Sequence, residues 1–585
     1  MRRNVLGVLV AVAVLVGTAT AQPKVMSLPE LGIEPGSVGG TLTLSLGSAP
    51  PSFFYYGQID NAVQALTAQT FDPLIEFNLA NYELEPALAA SWDVSDDGLV
   101  YTLHLREGVT WHDGVPFTAD DVVFTFDEII TNPETRAGDA AQFVYTVDGE
   151  PRNVTFEAAD ANTVVITLPA PSAAFLLNLR AFYMMPKHKL ESITAQGGDA
   201  INGAWPTTGA ISDVVGTGPF MYDNYVAGQL VSLKRNPNYW KVDTAGTSLP
   251  YAEQLEYLVV GGTEAQTAQF LAGNLDVLNI SGAQYPNFKE QELAGGGFTV
   301  VVNEALFGSP PHLAFNFDDP ALGAAFSTVE FRRAMEYAVD RDRVIEDVYN
   351  GLATLPGTPT APANGAFYED TTGLFNMFDL EAAAAALDEL GYVDSDGDGI
   401  RNLPNGGPDL EFALTYASDS QVFTDIATIV QNDFAQIGVK ADLQAVLNSA
   451  LLGTGLAGEY QAIIVALGNQ PDPELRKPIW QPGGSLYYWH RSTQPQTEGG
   501  PANFDAMADW ERRIYEIFDT GTTNVDAASR AANYREWQVL NAENVPVIMI
   551  AKPSNIAAVY DRVGNFVYNL GVIPGYNPVP LYDVD

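Results

Sequence analysis

Three carboxylates stand at alternate positions in Asp394-Ser395-Asp396-Gly397-Asp398-Gly399, with a glycine where a tight turn needs one. Calcium-binding loops begin this way, because Ca2+ collects several hard oxygen ligands around a sharp bend. The position where such a loop carries a bidentate Glu is Asn405 here. Two readings stay open: a structural Ca2+ loop, or an acidic turn after a helix ending near Leu390-Gly391. No other cofactor is expected. Catalytic constellations are missing, with no G-x-S-x-G elbow, no H-E-x-x-H zinc helix and no Lys after a Gly to make a Walker loop. His104, His112, His188, His312 and His490 are spread singly, and a lone His is more often structural than a ligand. The chain also has no Cys, which removes disulfides, thiol catalysis and thiolate metal sites. The chain is read as a non-enzyme. A secreted hydrolase using a carboxylate pair is a distant alternative, since acids abound but nothing marks two as partners.

A second chemical feature is aromatic. In IIVALGNQPDPELRKPIWQPGGSLYYWH, residues 463–490, an apolar strand opens into a Pro-rich loop and then Trp480, Tyr487, Tyr488 and Trp489. Such side chains suit peptide side chains or sugar faces in a cleft, and they equally suit a core. A matching run, Phe53-Phe54-Tyr55-Tyr56, follows the alternating segment Thr41–Leu46.

The elements that position these residues are legible from periodicity. Tyr101, Leu103 and Leu105 alternate with Thr102, His104 and Arg106, which predicts a half-buried strand bounded by Gly98 and Gly108. His112-Asp113-Gly114 and Pro116 supply a turn, and Thr118 precedes Asp120-Asp121 where a helix N-terminus favours acids. Further on, Phe331, Ala334, Met335 and Ala338 mark one helical face, and Asp340 is placed to cap the next turn. Residues 22–38, with Pro23, Pro29 and Pro35, predict a tether or loose arm.

At 585 residues, three or four structural units are expected. Arg2-Arg3, an uncharged stretch from Val5 to Gly17 and Ala19-Thr20-Ala21 predict an export signal cleaved after Ala21. The stretch is too short to span a bilayer. Without Cys the mature N-terminus cannot be lipidated there, so a freely diffusing periplasmic protein is expected. Net charge is −44, which repels nucleic acid and anionic membranes.

The run from Pro86 to Phe126, PALAASWDVSDDGLVYTLHLREGVTWHDGVPFTADDVVFTF, resembles the signature of the family 5 extracellular solute-binding proteins of ABC importers. GTGPFMYDNYVAGQLVSLKRNPNYW from Gly216, then Gly273 and Asp276, and then LAFNF with TVEFRRAMEYAVDRDRVIEDVYNG extend it in the family's order. The resemblance implies an α/β, two-lobed periplasmic binding protein, a type II-like clamshell with a small domain inserted in the first lobe. The expected parts are signal peptide 1–21, domain I from 22–71, 186–305 and 555–585, inserted domain II 72–185, and second lobe 306–554. It implies capture of an oligopeptide, or alternatively an oligosaccharide, by lobe closure. The monomeric receptor would deliver it to permease subunits served by a separate ATPase. Val465 and Leu467 would offer backbone groups to the ligand. Phe53, Tyr55 and Asn61 would line the other wall. Peptide-binding relatives place an acid about three residues before the Asp-Pro of the loop; here Asn469 stands there, and Asp472 is the candidate substitute.

Overall fold

The computed structural model describes residues 23–26, 28–58, 60–137, 140–147, 150–303, 310–375, 377–497, 500–567 and 577–584. The expected cleavage point at Ala21 and the expected crossing at residue 305 lie outside them. Apolar residues gather in three clusters. One joins segments from Met26 to Tyr257 with the C-terminal Ala557–Tyr582; a second runs from Leu313 to Ala551; a small third includes Phe270, Phe288, Phe298 and Ile556.

The first lobe is built on a mixed four-stranded sheet ordered Phe220–Val226, Leu230–Arg235, Ala252–Val259, Gly39–Leu46. Its last two strands run parallel, pairing Leu255 with Leu42 and Tyr257 with Leu44. An antiparallel sheet is ordered Ala89–Val94, Val100–Leu105, Thr163–Thr167, Thr155–Asp160, its first two strands lying within the sequence signature Pro86–Phe126. Tyr101, Leu103 and Leu105 turn inward as their alternation predicts, joined by Val164 and Ile166. These inward residues share one cluster with the larger sheet. The following helix, Ala119–Phe124, starts on a Thr118/Asp121 capping box.

The separated motifs meet in space. His112 donates its backbone N–H to the Gly216 carbonyl at 2.8 Å, while its Nδ1 accepts from Gly216 N at 3.0 Å and its Nε2 donates to the Gly218 carbonyl at 3.0 Å. Burial holds this imidazole neutral, with its pKa down to about 4. A Cβ on Gly216 would overlap the Thr70 carbonyl, so the close approach of this loop to helix Asn61–Thr70 requires glycine.

The N-terminal arm is not loose. Lys24–Val25 pairs in parallel with Lys241–Val242, and Leu28 is fully buried. Lys24 Nζ bridges Glu76 and Glu85 at 2.6 Å, and Lys241 completes the Glu76 pair at 2.5 Å. Those ion pairs are half-buried or better, so solvent screens them little. Proline-rich composition predicted a tether, and long-range charge overrode it.

The second lobe carries a five-stranded sheet ordered Lys440–Val446, Glu411–Ala417, Ala462–Ala466, Pro311–Phe315, Val547–Met549, the first three parallel. Helices Val329–Tyr337, Gln421–Gln436, Asp509–Thr523 and Ala527–Asn544 accompany it. Arg332, fully buried, closes the last of these by donating to the carbonyls of Val545, Asn544 and Phe326 at 2.7 Å. Asp340 caps the next turn by accepting from Arg343 N, as its position predicts. Between the lobes a three-stranded sheet places Asn555–Tyr560 between Val277–Ile280 and Phe298–Asn303. Here Gly273, at φ +79°, follows helix Thr263–Leu271, and buried Asp276 accepts from Thr43 N and Arg562.

Candidate functional site

Strand Ala462–Ala466 is the central element of the second lobe's wall. On one edge it pairs with Pro311–Phe315 along its whole length, from Phe315↔Ala462 to Pro311↔Ala466. On the other edge the registered pairs are Leu414↔Ala462 and Thr415↔Ile463. Beyond Ile463 that edge has no registered strand pair among the described residues, so of the last three residues of the strand only Val465, whose peptide groups face that edge, lacks a ladder partner.

The strand continues into a loop that is locked from a distance. Asn469 Nδ2 donates to Asn364 Oδ1 at 2.7 Å, and Asn364 Nδ2 donates to the carbonyls of Gln470 and Pro471 at 2.6 and 2.8 Å. Asp472 accepts both Nη groups of Arg530, at 2.6 and 2.7 Å, in a buried bidentate pair. Burial opposes the Arg530 charge, and the Asp472 carboxylate overrides it, raising the guanidinium's pKa above its ordinary value. The substitute role for Asp472 as acceptor of a ligand ammonium is therefore corrected: its carboxylate is already neutralised by Arg530.

The lobes touch on both sides of this loop. Leu475 and Ala363 pack against the first-lobe cluster, and Ala173 N donates to the Thr522 carbonyl at 2.9 Å. Between Val94, Tyr101 and Leu176 on one side and Phe367, Val525 and Arg530 on the other lies a cavity of about 290 Å³. At the crossing side, Asn350 Nδ2 donates to the Gly282 carbonyl, and Ser554 N donates to Leu352.

Several residues expected at the cleft belong to the interior. Tyr487, Tyr488 and Trp489 are at most 1% exposed and Trp480 is 7%, all in the second core. Tyr487 donates to Glu511, which also receives His490 and caps the Ala508 backbone. Tyr488 donates its hydroxyl to His312 Nε2 at 2.6 Å, and burial pushes that imidazole down to about 4. The core reading of the four aromatics is the correct one: each ring is tiled by others, Trp480 against Trp489 and Trp537. On the first lobe, Phe53 packs on Tyr222 and Tyr225 and is 2% exposed, another core residue rather than a wall. Tyr55 sits at the core's margin, edge-on to Tyr183, and Asn61 is exposed at the start of its helix. Val465 is buried within the sheet, and Leu467, half-buried, packs on the second core. Sequence reasoning missed Asn364 and Arg530, because each bonds to the loop from a position that carries no local signal.

The acidic loop does bring its carboxylates together. One oxygen from each of Asp394, Asp396 and Asp398 lies within 4.8 Å of the others, all exposed. Asp394 accepts from Gly397 N and Gly399 N, which holds its carboxyl below its usual range. Gly397 and Gly399 lie at φ +84° and +94°. The oxygen donors suit a hard cation such as Ca2+. Asn402 braces the loop by accepting from the backbone N–H and hydroxyl of Ser395.

With this geometry in hand, comparisons with known proteins agree on one class. The profile of the bacterial extracellular solute-binding proteins, family 5 Middle, matches residues 83–484. A probable ABC transporter-binding protein of Deinococcus radiodurans is 28% identical across 98% of this chain and 97% of its own. A periplasmic alpha-galactoside-binding protein of Rhizobium meliloti is 26% identical across 93% of this chain and 80% of its own. The solved oligopeptide-binding protein AppA of Bacillus subtilis, in complex with a nonapeptide, superposes with a TM-score of 0.66 at 21% identity, covering 94% of this chain and 100% of AppA. That likeness shows the fold, a two-lobed binding-protein architecture.

Proposed function

Because the chain belongs to the bacterial extracellular solute-binding proteins of family 5, we propose that it captures an oligopeptide between its lobes and hands it to the permease of an ABC importer. The family is one of binders rather than enzymes, and no covalent step is invoked. The observation that carries the peptide reading is the end of the ladder at Ile463, past which the peptide N–H and C=O of Val465 face an edge with no registered strand pair and can receive an extended chain. The solute bridges the two walls and stabilises the closed form, a population shift rather than a chemical event. Release opens the contact between Ala173 and Thr522. The receptor acts as a periplasmic monomer released by cleavage after Ala21, and the ATPase is a separate chain.

One observation favours an oligosaccharide as the second reading. With Asp472 paired to Arg530 and Asn469 standing where an acid would be, the loop presents no free carboxylate to a peptide's ammonium. Mild purification, denaturation and mass spectrometry of the released solute distinguish the two. X-ray scattering with that solute should show a smaller radius of gyration, and an unchanged radius at saturation excludes closure. Ca2+ in the Asp394–Asp398 loop would be structural: chelation then lowers the melting temperature and leaves solute stoichiometry alone, whereas an unchanged melting temperature with EDTA and with added Ca2+ returns the loop to a plain acidic turn.

A further inference from the structure

Helix Asn61–Thr70 carries Ala65, Ala68 and Gln69 at i, i+3 and i+4, so one helical face lines a partly open cavity of about 230 Å³ in the first lobe. Two of those three positions are alanines, and the space exists because short side chains stand where a leucine would fill it. Packed interiors keep few voids larger than a water, so one of this size is a built feature. Leu44 and Ser45 of strand Gly39–Leu46 form another wall, and Val277 and Asn279 of the crossing strand Val277–Ile280 a third. None of the described lining residues belongs to the second lobe.

What the cavity lacks is charge. None of its thirteen described lining residues is Asp, Glu, Lys, Arg or His, in a chain of net charge −44. The other cavities differ: Asp120, Asp127 and Lys187 line the one beside helix Ala119–Phe124, Asp398 and Lys440 the one beside the acidic loop, and Asp96 and Arg530 the one between the lobes. A charge taken out of water without a partner is costly, so the first-lobe cavity selects an uncharged ligand.

What it offers instead is amides and rings. Gln69, 3% exposed, and Asn577 hold each other reciprocally, Nε2 donating to Oδ1 at 3.2 Å and Nδ2 to Oε1 at 3.1 Å. The Tyr257 hydroxyl is bonded to Gln69, and a phenol has capacity for a further partner. Half-buried Gln266 donates Nε2 to the Val260 carbonyl at 2.9 Å, and its Oε1 has no hydrogen bond among the described residues. Tyr257, Phe566 and Tyr582 supply aromatic surface. Amides beside aromatic faces complement a pyranose, which has an apolar C–H face and a rim of hydroxyls that donate and accept. The volume is below the roughly 300–1,000 Å³ of a drug-sized pocket, which restricts the ligand to a single ring.

We propose that this cavity is a second ligand site, taking one uncharged pyranose ring apart from the wall that receives the peptide. The inference goes beyond the peptide reading and does not depend on it. Because the second lobe contributes no described lining residue, the sugar binds without lobe closure.

The test titrates the full mature chain with glucose, galactose and mannose in a calorimeter, with glucosamine and glucuronate as charged analogues. At least one neutral hexose should bind saturably at one site per chain, and the charged analogues at least about tenfold more weakly. Ala65→Leu, which fills the cavity from the helix, should abolish that binding. Gln266→Ala should weaken it about two- to tenfold, the worth of one hydrogen bond, and keeps the test decisive if Ala65→Leu lowers the melting temperature. X-ray scattering at saturating hexose should show an unchanged radius of gyration, and peptide retention by Ala65→Leu should match the wild type. No saturable binding of any neutral hexose, equal binding of the charged analogues, or wild-type affinity in both variants overturns the assignment and leaves the peptide reading standing. Contraction on adding hexose, or loss of peptide by folded Ala65→Leu, places the cavity within the closing solute site and overturns its separateness.

Discussion

The junction of His112 with Gly216–Gly218 and the loop 467–476 are both dense in polar groups, and they use them in opposite ways. At the junction every ring nitrogen of His112 has an internal partner, and the glycines allow two backbones to touch. In the loop, Asp472 and Asn364 serve as anchors, while the strand edge past Ile463 has no registered strand pair among the described residues. The first region is chemically closed and builds the lobe; the second is rigid yet unsatisfied, which is what a binding wall requires. The segment easiest to recognise in the sequence is therefore structural, and the segment proposed to meet solute is the less distinctive one.

The comparison breaks most sharply at its anchor. Asp472→Ala leaves Arg530 buried without its carboxylate and should destabilise the second lobe by about 3–5 kcal/mol, read by urea denaturation. A loss under about 1 kcal/mol would mean that the loop is held by other contacts.

A pH titration compares the lobes directly, since His112 and His312 both have folded pKa values depressed to about 4 from 6.5. The unfolded chain takes up these protons first as pH falls. Stability from both imidazoles is therefore complete above pH 6.5 and declines toward pH 4, by about 1.4 kcal/mol per pH unit for each. His112→Gln should flatten the acid limb for the first lobe and His312→Gln for the second. Equal slopes in all three proteins would show that neither ring is held neutral.

A milder effect is expected from Gly216→Ala, which forces the loop off the Thr70 carbonyl and should cost about 1–3 kcal/mol. Gly47→Ala, with open space around its Cβ, should stay within about 0.5 kcal/mol as the control. If the two match, the close approach at the junction is not under steric tension.

The smallest change is expected from Asn469→Asp. It removes the donor to Asn364 Oδ1 and sets two acceptors facing each other, because Asn364 Nδ2 is committed to Gln470 and Pro471. A stability loss of about 1 kcal/mol should follow, with no gain for peptides bearing a free amino terminus by calorimetry. A selective gain for such peptides over acetylated ones would place the amino terminus at this loop and overturn its reading as an internally anchored segment.

What the sequence determined by itself was local. The alternation of Tyr101, Leu103 and Leu105, the acids at the start of Ala119–Phe124 and the Asp340 cap all depend on residues within a few positions of one another, and each element formed where its pattern put it. The carboxylates of the acidic loop converge for the same reason, their spacing being set by one turn. Only the tertiary structure decided the rest. Trp480, Tyr487, Tyr488 and Trp489 are equally suited by composition to a cleft or a core, and burial against Trp537 and Glu511 from a distant helix pair made them core. The prolines of the N-terminal arm could not reveal that Lys24 would meet Glu76 and Glu85. Asp472 looked available because its partner Arg530 lies far along the chain. Periodicity reports which way a side chain points; whether it is satisfied there depends on which segments, remote in sequence, the fold brings against it.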